Sequence, residues 1–273
     1  MAIALILLVP AGCTPAAESS AGPEQSDRSG QLSQERLALL QSFFSDEGIA
    51  QIQRFEADLR SVATEEDFLN VYYAVDSLEY PNLPDTMDAI YPFVNADLGI
   101  PGVINSCEAE CTEPSFDRDM DTFVAAAAKT RSDVDDAFIR LVSDFGGSFY
   151  GYGTYFTQTW DYGGYSNFGT GVHARLLEQI ASLQARTGLF LEDLERARNT
   201  LFDDMAGYNV CFGASRQSIK SELLTVRAMD WLSPDESAAV DLRLRLIDGT
   251  CTDCGERELE TDCASESCSC ASG

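Results

Sequence analysis

FDRDMDTFVAAAAKTRSDVDDAFIRLVSDF, residues 116–145, carries a helical period from end to end. Phe116, Met120, Phe123, Ala127, Val134, Phe138, Leu141 and Phe145 recur at intervals of three, four or seven and so share one face of an α-helix. Asp and Arg fill the opposite face, and Gly146-Gly147 supplies the stop. The spacing predicts one long amphipathic helix over 116–145, and with it a mainly helical protein.

The same period extends outward. Val172, Leu176, Leu177, Ile180 and Leu183 predict a helix from about Gly171 to Thr187, stopped by Gly188. Phe190, Leu194, Ala197, Leu201 and Met205 predict the next over 189–206, and so short a connection makes the two an antiparallel hairpin. Thr64-Glu65-Glu66-Asp67 is a capping box ahead of Phe68, Val71, Tyr72 and Val75. Ser233-Pro234-Asp235-Glu236 sets a cap, a first-turn Pro and a reciprocal Glu, so a helix runs to about Ile247 despite the alternation of Val240, Leu242, Leu244 and Leu246. Ser33 to Arg60 reads as one or two helices and Ser215 to Trp231 as another. Pro81, Pro84, Pro92, Pro101 and Pro114 mark residues 80–115 as an irregular excursion. The expected architecture is a bundle of about six to eight helices with a small aromatic, glycine-rich β-hairpin or loop insertion and a Cys-rich tail.

Composition narrows the function classes. The chain has 273 residues, 45% of them hydrophobic, which is enough for a core of its own. Its 45 acids against 18 bases give a formal charge of −27. That charge opposes nucleic-acid binding, which needs cations to displace phosphate counterions, and it opposes recruitment to an anionic membrane surface.

The N-terminus carries an address. MAIALILLVPAGC has a short apolar run, Ala2 to Val9, then Ala11 and Gly12 before Cys13; it is too short to span a bilayer as a helix. This ending resembles the lipobox of bacterial lipoproteins, with Pro10 where an aliphatic is usual and no Lys or Arg ahead of the apolar run. The resemblance covers the first dozen or so residues. It implies a signal peptide over 1–12 and a lipidated Cys13 as mature N-terminus, palmitate included. The alternative is a buried N-terminal strand with an ordinary Cys. Residues 14–33, rich in Ser, Pro, Gly, Ala and Gln, read as a flexible tether. Thr14 rather than Asp after the lipidated Cys implies the outer membrane over the inner. The domain plan is then 1–12 signal, 13–33 lipid and tether, 34–247 helical domain, and 248–273 acidic tail.

Within 145–171 the period changes from 3.6 to two. Tyr150, Tyr152, Phe156, Trp160 and Tyr162 share one face of an extended chain, broken by Tyr155; Gly163-Gly164 reads as a hairpin turn, with Tyr165 to Phe168 returning. Three readings stand: an aromatic face covering one end of the bundle, a platform of rings stacking on sugars, or a loop docking a partner protein. Tyr150, Tyr152, Phe156, Trp160, Tyr162 and Tyr165 are the candidate ligand-binding residues.

Apart from Cys13, the cysteines are Cys107, Cys111, Cys211, Cys251, Cys254, Cys263, Cys268 and Cys270. An even set in an exported chain reads as disulfides, with Cys107 and Cys111 able to close a small loop and Cys211 reaching toward the tail. The alternative, a zinc or copper(I) site on the tail thiolates, lacks the paired CxxC spacing of a zinc ribbon.

Catalytic signals are sparse. The single histidine, His173, excludes any site needing two imidazoles. Both stretches nearest a nucleophile elbow, Gly146 to Tyr150 and Gly164 to Phe168, lack the closing Gly. Gly171-Val172-His173 resembles the start of the GxHxxE motif of imelysin-type envelope proteins, but Leu176 stands at the Glu position and that family is not carried over. His173 is expected to be an ordinary residue at the edge of its helix's apolar face. Asp117, Asp119 and Asp121 alternate as in a calcium loop, yet Thr122 and Ala128 replace its turn Gly and bidentate Glu, and the same acids suit a helix N-terminus. No cofactor motif and no metal set is assigned. The expected function is a non-enzymatic envelope module binding a glycan or a protein. The alternatives are a carboxylate-dependent glycan hydrolase, which needs no His, and a metal-binding envelope protein.

Overall fold

The computed structural model describes residues 32–248 except 82, 85, 109–112, 147–152, 159–163 and 207–210. The chain is mainly helical. Helices α1 (Gln34–Gln41) and α2 (Asp46–Ser61) start at Ser33 and Ser45, whose hydroxyls accept amides of the first turn. The Ser33–Arg60 stretch is therefore two helices. Helix α3 (Glu65–Ala74) begins with the Thr64/Asp67 capping box and runs into a 3-10 turn, Val75–Ser77. Helix α4 (Met87–Val94) and the antiparallel hairpin β1 (Val103–Glu108) and β2 (Glu113–Arg118) occupy what the prolines marked as irregular.

The predicted long helix over 116–145 is two helices and part of a strand. Phe116 lies in β2, opposite Asn105. Helix α5 (Met120–Thr130) ends at Arg131, whose φ of 61° is left-handed, and α6 (Asp133–Asp144) restarts from Ser132, whose hydroxyl accepts the Val134 amide. The break falls inside an unbroken apolar period because Ser132 and the acids Asp133, Asp135 and Asp136 form a new N-terminus. The two helices then pack on each other, burying Phe123, Ala126 and Ala127 from one and Phe138, Ile139, Leu141 and Val142 from the other.

Strands β3 (Phe156–Gln158) and β4 (Gly164–Ser166) follow, then α7 (Val172–Gln184), α8 (Leu191–Ala206), β5 (Cys211–Phe212), α9 (Arg216–Arg227) and α10 (Pro234–Ile247). Helices α7 and α8 pack together as expected, and α10 carries the Ser233/Glu236 capping box. The aromatic hairpin is present in outline, with Phe156 opposite Ser166 and Gly164 inside the strand rather than in the turn. The sequence did not announce β5, which adds to β4 in parallel. Among the described residues no helix is long and apolar enough to cross a membrane.

Rings tie the elements together. Phe68, Tyr72, Phe123 and Phe138 meet edge to face across α3, α5 and α6, at centroid distances of 5.2 to 6.3 Å. Phe190 stacks on Phe138 at 3.9 Å. Phe190 itself stands at φ 59° just before α8. Each such fully buried Phe contributes roughly 1.5–3 kcal/mol of transfer free energy.

Candidate functional site

The three-stranded sheet places the candidate residues on opposite sides of β4. Tyr165 faces outward at 38% exposure, while its neighbour Ser166 is fully buried. This is the ordinary alternation of a strand with one wet face. The Tyr165 ring lies over Gly213, where an added Cβ would sit 2.6 Å from the ring. Phe156 is half-buried, its ring over Gly164. Tyr155 and Phe168 are core residues: Tyr155 packs on Phe145 at 5.2 Å, and Phe168 is completely enclosed. The described part of the aromatic stretch is thus divided between core and surface. Tyr150, Tyr152, Trp160 and Tyr162 lie outside the described residues.

Beneath β4 lies a buried polar cluster. One oxygen of Asp204 in α8, Oδ2, accepts the Ser166 hydroxyl and contacts His173 Nε2, each at 2.5 Å. Ser166 and His173 are fully buried and Asp204 is 7% exposed. The Ser166 oxygen also accepts the Phe168 amide at 3.0 Å. Phe168 and Tyr155 wall the imidazole at centroid distances of 5.0 and 6.1 Å, and among the described residues Nδ1 has no hydrogen-bond partner. His173 is therefore not an edge residue. The first turn of α7 dips into the core, and the imidazole takes a fully enclosed position.

The order of the three groups matters chemically. In a nucleophilic relay the imidazole stands between hydroxyl and carboxylate and removes the hydroxyl proton. Here the carboxylate stands between the other two. The Ser166 hydroxyl hydrogen-bonds to Asp204 and not to the imidazole, so the three groups tie β4, α7 and α8 together in an order different from that relay.

A second carboxylate completes this end of the bundle. Gly171, at φ 89°, has no side chain to cap α7. Glu222 from α9 does it instead: Oε2 accepts the amides of Gly169 and Gly171 at 2.5 and 2.9 Å, and Oε1 that of Ala174 at 3.0 Å. Buried negative charge at a helix N-terminus is favourable.

Neither acid was picked out from sequence, although both leave a trace there. Asp204 follows Leu201 by three and Glu222 follows Ile219 by three, so each acid sits on the apolar stripe of its helix. Elsewhere Glu56 pairs with Arg36 in the interior, and Asp193 accepts the Tyr73 hydroxyl at 2.6 Å. Burial, then the Asp193 bond, push the Tyr73 phenol well above its ordinary range.

The alternating acids 117–121 do not converge. Asp117 is in β2 opposite Ile104, Asp119 accepts the Thr122 hydroxyl at 2.5 Å, and Asp121 is in the first turn of α5. Among the described residues no group of three or more metal-ligating side chains occurs. Cys107 lies in β1 and is a disulfide cysteine, and Cys211 lies in β5. Cys13, Cys111, Cys251, Cys254, Cys263, Cys268 and Cys270 lie outside the described residues, as do residues 1–31 and 249–273, on which the expected signal, most of the expected tether and nearly all of the expected tail fall.

Comparison of the chain with protein-family models, with curated proteins and with solved structures finds no match.

Proposed function

We propose that this chain is an envelope lipoprotein, anchored through Cys13, whose helical domain is a non-enzymatic module that binds a glycan or protein partner through the aromatic surface of residues 150–165. The observation that carries the reading is Tyr165, exposed on a strand whose neighbouring residue is locked into the core. A ring presented from a fixed backbone loses little conformational freedom on binding, which favours stacking on a sugar face or an apolar side chain.

The enclosed acids are not free for the hydrolase alternative. A glycan hydrolase needs two carboxyl groups facing one cleft. Glu56, Asp135, Asp193, Asp204 and Glu222 are each committed to internal partners. The metal-binding reading would rest on the tail cysteines, and native thiol counting separates it from disulfides.

The test is retention on peptidoglycan and envelope polysaccharides, with Tyr165→Ala as the variant. An at least tenfold loss of affinity, corresponding to about 1.4 kcal/mol, is expected at unchanged stability. Trp160 emission, read with Trp231 changed to Phe, gives the independent measure. Protection from acrylamide on adding one glycan supports the platform, and emission indifferent to every glycan and protein fraction removes it.

A further inference from the structure

We propose that Ser166, Asp204 and His173 form an acid-operated latch that holds β4, and the Tyr165 surface on it, against the helices. The latch names a regulation of the binding surface proposed above. Its test uses no ligand, so failure of one idea is distinguishable from failure of the other.

The latch joins three elements through one atom. Asp204 Oδ2 on α8 receives Ser166 of β4 and His173 of α7 together. While that carboxylate is ionised, both partners are satisfied, and the imidazole is compensated whether neutral or protonated. Among the described residues, the other ionisable groups around the ring do not substitute for Asp204. On α9, Glu222 has both oxygens engaged by backbone amides of residues 169–174. On α7 itself, Arg175 is directed to Asp144 of α6 at 2.6 Å. From the hairpin, Tyr155 presents its ring edge-on. Arg243 of α10 is one ring removed, 5.2 Å from the Phe212 centroid.

Acid changes the balance. When the Asp204 carboxylate takes a proton, the shared oxygen loses its charge. The latch opens when the imidazole carries a proton as well. Among the described residues the enclosed ring then has no counter-charge, and Nδ1–H has no acceptor in a site with no solvent exposure. A buried unpaired ion is costly enough to drive a local opening event. The least anchored of the three elements yields. Helices α7 and α8 are held by full apolar stripes, whereas β4 is a three-residue strand between a three-residue and a two-residue neighbour. Lifting β4 wets the imidazolium and displaces Tyr165.

The experiment is amide hydrogen exchange on the full chain between about pH 7 and about pH 4, followed at Phe168 and Gly213, which donate to the Ser166 hydroxyl and carbonyl oxygens. Protection factors at both amides are expected to fall at least tenfold with unchanged far-UV circular dichroism. The imidazole resonances of the single histidine should already stand at the imidazolium position at the pH where the two amides open. His173→Gln keeps a donor toward Asp204 and cannot become a cation, and it should lose the acid response. Should that variant fail to fold, the charge state of the imidazole at the pH of amide opening in the unaltered protein decides. Amides that stay protected until global acid unfolding, an equal acid response in the variant, or an imidazole that stays neutral while the amides open would overturn the latch.

Discussion

Glu222 caps a helix that is not its own: its Oε1 accepts the Ala174 amide at 3.0 Å, so α9 supplies the negative group that the first turn of α7 lacks. Because Gly171 leaves the orphan amides of α7 without a local acceptor, removing Glu222 exposes a buried, unsatisfied helix end. Glu222→Gln keeps an acceptor and loses the charge; Glu222→Ala loses both. Urea unfolding should show about 1–3 kcal/mol lost for Ala and less for Gln. Equal stability of the two variants and the unaltered chain would mean that water satisfies those amides.

Arg36 and Glu56 form the most enclosed ion pair between α1 and α2, with Arg36 Nε also donating to the Leu98 carbonyl at 3.0 Å. Taking two charges out of water is costly, so the pair need not add net stability, but halving it strands a buried charge. Glu56→Leu should cost about 3–5 kcal/mol, and the double change Arg36→Met/Glu56→Leu should recover most of that loss. Thermal melts of Arg36→Met, Glu56→Leu and the double close the cycle. A double variant no more stable than Glu56→Leu would show that the Leu98 contact, and not charge, is what Arg36 supplies.

These pairs mark the boundary of what was legible in the chain. Capping boxes at Thr64 and Ser233 and the apolar stripes of α7 and α8 are local signals, and each produced the helix it predicted. The long stripe over 116–145 misled because a period records which face is buried, not whether the backbone turns between two buried segments. The Ser132 cap was the local sign of that turn. The hairpin could be read in outline from alternation, but not which of its rings face solvent, as Tyr165 does. The Asp204 and Glu222 partnerships could not, since they join residues 31 to 53 positions apart, and nothing local fixes which acid meets which amide. An acid on an apolar stripe was the available hint.

Two partly or fully buried carboxyls bias stability in opposite directions with pH. Burial alone would raise Glu236, but bonds from Arg198 and Ser233 outweigh it and hold it below its ordinary value. A depressed folded value contributes stability above the ordinary carboxylate range, and this is lost as pH falls through the folded value. Asp135 is the reverse: burial raises it, and the Thr130 hydroxyl and Asp136 amide offset only part of that. Its ionised form is penalised in the fold at neutral pH, and the penalty is relieved as pH falls through its raised value. Glu236→Gln should therefore lower the urea midpoint at neutral pH and converge on the unaltered protein in acid. Asp135→Asn should raise the midpoint at neutral pH and likewise converge in acid. Parallel pH profiles for variant and parent would contradict the assigned shift.

Gly153 is the tightest glycine contact against backbone: a Cβ there would stand 2.2 Å from the Asp144 carbonyl oxygen and 2.4 Å from the Phe145 Cα. This close approach lets the Thr154 amide reach the same Asp144 oxygen at 2.8 Å, which ties the start of the hairpin to the end of α6. A backbone obstacle cannot rotate away as a side chain can, so Gly153→Ala must separate the two segments. Gly188, between α7 and α8, has nothing within 4 Å of an added Cβ. Gly153→Ala is expected to cost about 1–3 kcal/mol by overpacking, with Gly188→Ala within about 0.5 kcal/mol of the parent. Exchange at the Thr154 amide distinguishes the cause. Lost protection there in Gly153→Ala, with protection of the α3–α5 core retained, locates the damage at the hairpin's attachment; uniform loss would mean that the hairpin and the bundle unfold as one unit.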